Sequence, residues 1–173
     1  MPEDPDRLAT GAPAGTSGGL ELPARAASGS DTPEILRLAA LMYDTLGMGP
    51  AGDDWGRAAA AHLSARLGHD VAVFVVDDPR APGRLAAVGA GSIARRLPGP
   101  RNLAATTGYI QWVATEPCWR RQGLATRITK ALLGWFRDNG VGGVELHAAP
   151  GGDGIYRSLG FQEGPHPGLR LRP

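Results

Sequence analysis

The chain has 173 residues, a formal net charge of +1 and one cysteine. That length suffices to bury a core without disulfides or metal, and the near-cancelled charge offers no basic field for nucleic acid. Cys118 alone excludes an intrachain disulfide and leaves no Cys/His set at metal-ligand spacing, which points to a reducing, cytoplasmic setting. No apolar run reaches membrane-spanning length, and the N-terminus lacks a basic stretch followed by an apolar one, so a soluble, unprocessed protein is expected. Lys130 is the only lysine among eighteen basic residues, within a Gly-, Ala-, Pro- and Arg-rich composition associated with bacterial genomes of high GC content.

Residues 1–18 are rich in Pro, Gly, Ala and Asp without an apolar period, which predicts a disordered tail ahead of a domain over 19–173. Residues 20–26 alternate like a short strand, and Pro23 marks it as an edge. Asp31 or Thr32 can cap a helix with Pro33 in its first turn, and Ile35, Leu38, Leu41, Met42 and Leu46 recur at helical spacing as far as Gly47. Asp53 or Asp54 can cap a second helix through Leu67, closed by Gly68, so the two read as an amphipathic hairpin. The β-branched run 71–76 predicts a strand buried on both faces. Turn residues 77–83 join it to a second strand over 85–94, where Gly89 and Gly91 leave room for a ligand or a packed side chain. Arg95, Arg96 and Arg101 lie among Pro98, Gly99 and Pro100, a solvated basic loop without the interleaved aromatics of a nucleic-acid patch.

A fourth strand is expected over 106–115, followed by a turn and a helix over 124–139 whose stripe is Ile128, Leu132, Leu133, Trp135 and Phe136. Asn139-Gly140 suits its C-terminal cap. A fifth strand over 141–148 makes a βαβ crossover, so strands four and five should be parallel. A short helix over 154–159 closes at Gly160, a further strand starts at 161–163, and the alternation over 169–172 fits a last edge strand.

The turn 117–123 carries Gly123 and two arginines at a helix start. Unpaired N–H groups, the helix dipole and charge-assisted bonds from Arg120 and Arg121 together suit a phosphate or pyrophosphate. Pro117-x-x-Arg120-x-x-Gly123-x-Ala125 between a strand and a helix, with Tyr156-x-x-x-Gly160-Phe161 downstream, resembles the GNAT superfamily of acyl-CoA-dependent N-acyltransferases. The resemblance covers roughly 20–165 and is specific over 109–161. It implies a single domain of the α/β class, α+β in some schemes, with a mixed central sheet flanked by helices. Strands four and five would splay to admit a pantetheine arm.

On that resemblance, main-chain groups of Val113, Ala114 and Thr115 pair with the pantetheine of acetyl-CoA, and Arg121, Gln122, Gly123, Leu124, Ala125 and Thr126 surround its pyrophosphate. Arg120 either joins them or braces the turn through nearby carbonyls. Tyr156 corresponds to the family tyrosine that hydrogen-bonds or protonates the departing thiolate. Met42, Tyr43, Trp55 and Trp112 are expected at the acceptor site, although an aromatic beside a helical apolar stripe also serves as core. The chain departs from many relatives in two places. Gln111 and Trp112 stand where relatives carry a carboxylate base, and Ala149 stands where they carry Asn or Ser. An attacking amine must be neutral, which an ordinary alkylamine with a pKa of about 10 is not. His147 on the fifth strand, on the same face as Glu145, can take its proton; water, or an amine already partly neutral, is the alternative. Glu116 reads as a surface charge. The expected function is acetyl transfer from acetyl-CoA to a primary amine of a small molecule or peptide, without metal, nucleic acid or membrane. A homodimer is compatible with the sequence. A catalytically idle module that binds or senses acyl-CoA is the alternative, favoured by the missing carboxylate and opposed by Tyr156.

Overall fold

The computed structural model describes residues 22–100, 102–164, 168–169 and 171. The tail 1–18, the start of the first strand, Arg101, Arg170 and Arg172 lie outside the described residues. One mixed sheet contains β1 (Arg25–Ala26), β2 (Val71–Asp77), β3 (Leu85–Arg95), β4 (Thr106–Thr115) and β5 (Val144–Leu146) in sequence order. All neighbours are antiparallel except β4 and β5, which run parallel as the crossover requires. Helices α1 (Thr32–Thr45) and α2 (Asp53–Arg66) cover one face, and α3 (Leu124–Asp138) covers the other. A short α4 (Asp153–Ser158) follows β5.

Period-two alternation in β2 sends Val71, Val73 and Val75 to the α1 side, where they bury Ile35, Leu38 and Leu63. On the opposite side Leu124, Ile128, Leu132 and Phe136 of α3 are buried at helical spacing, while Leu133 and Trp135 of the expected stripe are half-buried. The sheet meets α3 with glycines. A Cβ on Gly91 or Gly108 would lie 2.7 Å from the Phe136 ring, and one on Gly89 would overlap Ile128. Packed side chains of α3 therefore fill the room at Gly89 and Gly91, and no ligand enters there.

The sheet changes character at one residue. Gly91 pairs with Ile110 and Ala90 with Trp112, so Gln111 is an extra residue bulged out of β4. A bulge bends its strand and raises the local twist. The β4–β5 ladder ends at this point, with Ile110 opposite Leu146, while β4 continues to Thr115. Beyond Leu146 the two strands part. The fifth strand is consequently three residues long instead of covering 141–148. Its entrance is also shortened, since Gly142 and Gly143 approach β4 through a single bond from Gly108 N–H to the Gly143 carbonyl, 2.8 Å.

Residues 161–163 form no strand: Phe161 packs edge-on against Tyr156 and the core, and Glu163 pairs with Arg157. Leu169 and Leu171 are exposed and belong to no strand. Gly52, not Asp53 or Asp54, occupies the N-cap of α2, and both aspartates fall in its first turn. Asp31 stands at the N-cap of α1 without capping it, because its carboxylate is taken by the Arg25 guanidinium (2.8 and 2.9 Å) and the Ser28 N–H (2.7 Å). Glu116 is half-buried and accepts a 2.7 Å bond from Arg37, tying α1 to the end of β4; it is thus a structural ion-pair partner. No described helix is long and apolar enough to cross a membrane.

Candidate active site

The turn after β4 is held from both sides. A single 3-10 turn, Pro117–Trp119, buries the indole of Trp119, which donates to the Asp78 carboxylate at 2.9 Å. The Arg80 guanidinium lies 3.7 Å above that ring, a cation–π contact. Arg120 Nε reaches the Thr115 carbonyl at 3.4 Å and Gln122 Nε2 the Cys118 carbonyl at 3.5 Å, so both side chains fold back and brace the turn. Arg121 has φ +65° and Gly123, the N-cap of α3, has φ +76°. For Arg121 this left-handed conformation is uncommon and signals a backbone held in place by its surroundings. The first intrahelical bond runs from Arg127 N–H to the Gly123 carbonyl at 3.1 Å. The N–H groups of Leu124, Ala125 and Thr126 thus have no helical acceptor. Nothing lies within 4 Å of a Cβ placed on Gly123, so the approach to these donors is open.

Where β4 and β5 part, a cleft of about 530 Å³ opens, bordered by Tyr43, Gln111, Trp112, Val113, His147 and Tyr156 among others. A recess of about 180 Å³ continues it past Val113, Ala114, Thr115 and Arg120, with Ala149 on its wall. Five residues singled out in the sequence, Tyr156, His147, Trp112, Tyr43 and Val113, therefore share the cleft, and Ala114, Thr115 and Arg120 line its extension. Residues 121–126 border neither space and form the turn and helix start beyond Arg120. Met42 borders both.

Tyr156 is half-buried on α4, its ring edge-on to Phe161 with centroids 5.9 Å apart. Burial raises its phenol above the usual tyrosine range, which keeps the hydroxyl protonated at neutral pH. His147 is exposed, one residue past β5, and its Nδ1 lies 2.8 Å from the Tyr109 hydroxyl. Glu145 instead meets Arg96 at 3.5 Å. Tyr109 was not legible as a site residue: it stands opposite Glu145 in the parallel ladder, and that register is not written in local periodicity. Gln111 donates to Ser92 Oγ at 2.9 Å, so the position where the family resemblance leads one to look for a carboxylate base holds an amide with a hydrogen-bond partner.

Three aromatics expected at the acceptor side form one group. Trp112 Nε1 donates to the Tyr43 hydroxyl at 2.8 Å. Trp55 stands edge-on to Tyr43 at 5.7 Å and tilted to Trp112 at 6.2 Å, but borders the cleft nowhere itself. Among the described residues no group of three or more His, Cys, Asp or Glu side chains could hold a metal ion.

A family model described as Acetyltransferase (GNAT) family matches residues 38–161. No curated protein sequence matches significantly. Among solved structures the chain is similar to a predicted acetyltransferase with acetyl-CoA from Clostridium acetobutylicum, with TM-score 0.78, 20% identity and coverage of 88% of this chain and 96% of that one. A GCN5-related N-acetyltransferase from Ralstonia eutropha follows at TM-score 0.73 and 17% identity, covering 87% and 99%. Glucosamine-6-phosphate N-acetyltransferase from Arabidopsis thaliana has TM-score 0.65 and 18% identity, covering 87% and 98%. At these identities the likeness is one of fold.

Proposed function

Because the chain belongs to the acetyltransferase (GNAT) family, we propose that it moves an acetyl group from acetyl-CoA to a primary amine in the cleft between β4 and β5. The observation that carries this reading is the convergence of Tyr156 and His147 on that cleft, whose recess leads toward a helix start with unpaired N–H groups. Bound acetyl-CoA supplies an acetyl thioester already activated for transfer.

The chain's own residues do the rest. N–H groups of Leu124, Ala125 and Thr126, with Arg121, bind the pyrophosphate, while Gln122 and Arg120 hold the turn in shape. The edge of β4 from Val113 to Thr115, left without β5, pairs with the pantetheine as an added strand would. His147 takes a proton from the acceptor ammonium through Nε2, which requires the tautomer with Nδ1–H donating to Tyr109. As the amine nitrogen bonds to the acetyl carbon and the carbon–sulfur bond breaks, the Tyr156 hydroxyl donates its proton to the leaving sulfur and the nitrogen releases its second proton to water. Amine and thioester become amide and thiol, and solvent exchange resets both side chains.

The test is free-thiol release with a panel of amines, beside thermal stabilisation by CoA and acetyl-CoA. Tyr156→Phe keeps the ring and removes the donor, so single-turnover acetylation should slow about ten- to a thousandfold with CoA stabilisation retained. Equal rates remove Tyr156 from the chemistry. Stabilisation by CoA without acetylation of any amine returns the idle acyl-CoA-binding reading.

A further inference from the structure

We propose that the acceptor is a primary amine bearing an aromatic or branched apolar group, and that a cavity between α2 and the sheet holds this group while the amine reaches the cleft past Trp112. The inference rests on the acetyltransferase reading and adds the substrate class to it.

The cavity measures about 350 Å³ and is walled by Trp55, Ala59, Leu63, Ala90 and Trp112. It exists because α2 is poorly filled toward the sheet: Leu63 is its one buried residue, alanines occupy 58–61, and β3 contributes Ala90. A cavity of about 150 Å³ lined by apolar groups accepts benzene, so about 350 Å³ has room for a bicyclic ring. The cavity and the reaction cleft share one wall at the bulge, since Gln111 and Trp112 both border both spaces. The indole N–H of Trp112 is already used by Tyr43, so what Trp112 offers a ligand is its ring.

Charge chemistry narrows the class further. Arg66 at the cavity rim is held by Asp70 at 2.6 and 3.0 Å, which offsets its charge, and the Gln111 amide N–H is engaged by Ser92. His62 is the remaining titratable side chain there. An anionic tail on the acceptor therefore finds no unpaired arginine, whereas an apolar tail finds aromatic and aliphatic walls.

The experiment compares tryptamine and 2-phenylethylamine with ethylamine and ethanolamine, using the full chain and saturating acetyl-CoA. The aryl amines should exceed the short ones in kcat/KM by at least about tenfold, the discrimination an apolar pocket gives for even one methylene. Ala59→Leu, which projects a larger side chain into the cavity, should reduce the ratio of aryl to short-amine kcat/KM by about tenfold or more. Ala58→Leu is the second variant should the first fail to fold. Comparable kcat/KM across the panel, or an unchanged ratio in a folded Ala59→Leu protein, overturns the proposal and leaves acetyl transfer standing. Should CoA stabilise the protein while no amine is acetylated, tryptamine and ethylamine are each titrated into the CoA-bound protein and followed by thermal shift. Stabilisation that Ala59→Leu abolishes then supports the subsite, and none overturns it.

Discussion

The two faces of the sheet are filled in opposite ways. On the α3 face glycines at 89, 91 and 108 let Ile128, Leu132 and Phe136 press against the strands, closer than any Cβ there would allow. On the α2 face one buried leucine and a run of alanines leave a cavity of about 350 Å³. Dense packing suits a helix whose first turn is proposed to hold a pyrophosphate with three N–H groups, since interiors packed to crystal density transmit small displacements. Loose packing suits a wall that receives a ligand. On the proposed function, one sheet would fix the coenzyme side with α3 and leave the acceptor side adaptable through α2.

The largest effect that tests this contrast is on stability. Phe136→Ala removes a fully buried ring that fills the space of two glycines, and should cost about 3–5 kcal/mol in denaturant unfolding. Leu63→Ala removes a side chain that already borders a void and has fewer contacts to lose, so about 2 kcal/mol is expected. Equal losses would mean that the α2 face is as well packed as the other. Glu116→Gln should cost less again, about 1 kcal/mol, because it weakens an exchange with Arg37 in which both side chains are about a quarter exposed. Its unfolding midpoint, measured beside wild type at neutral pH, checks that value.

What could be read in advance divides along a physical line. β4 and α3 emerge within a residue of their expected ends, because Thr, Tyr, Ile and Val in sequence, the 3.6-residue stripe and Gly123 and Gly140 at the helix ends are all local signals. Tyr156 was singled out by the family resemblance and His147 by its place on the fifth strand and its imidazole chemistry; that both border one cleft is a property of the finished fold. The bulge at Gln111 was hidden, since nothing in the run Ile110-Gln111-Trp112 reveals which residue its partner strand will skip. At that bulge the β4–β5 ladder ends and the cleft opens, while the Tyr109–His147 bond depends on the parallel register of β4 and β5. The same holds for Trp119, whose anchor Asp78 lies on the far hairpin turn and is brought near only by the finished sheet.

The smallest effect concerns acid. α1 is fastened to its neighbours by ion pairs: Arg25 bridges Asp31 and Asp77, and Arg37 bridges Glu34 and Glu116. The hydrogen bond from Arg25 holds the Asp31 carboxyl well below its usual range. For Glu34 burial pushes the other way, but bonds from Arg37 and the Leu85 N–H prevail and the net direction is down. A carboxylate whose folded pKa is depressed contributes stability that is present above its unfolded pKa of about 4 and is lost as pH falls through the folded value. The Arg25 side chain is 41% exposed, so solvent screening limits this contribution to about 1 kcal/mol or less per pair. α3 is held by apolar burial, with Arg127 donating to the Leu22 carbonyl at 2.6 Å, and among the described residues its ion pair is Arg137 with Asp138, neighbours on the exposed side of the helix. Amide hydrogen exchange followed from pH 5 downward, corrected for intrinsic rates, should therefore show protection in α1 declining before protection in α3. Parallel decline in both helices would show that the ion pairs of α1 do not set its local stability.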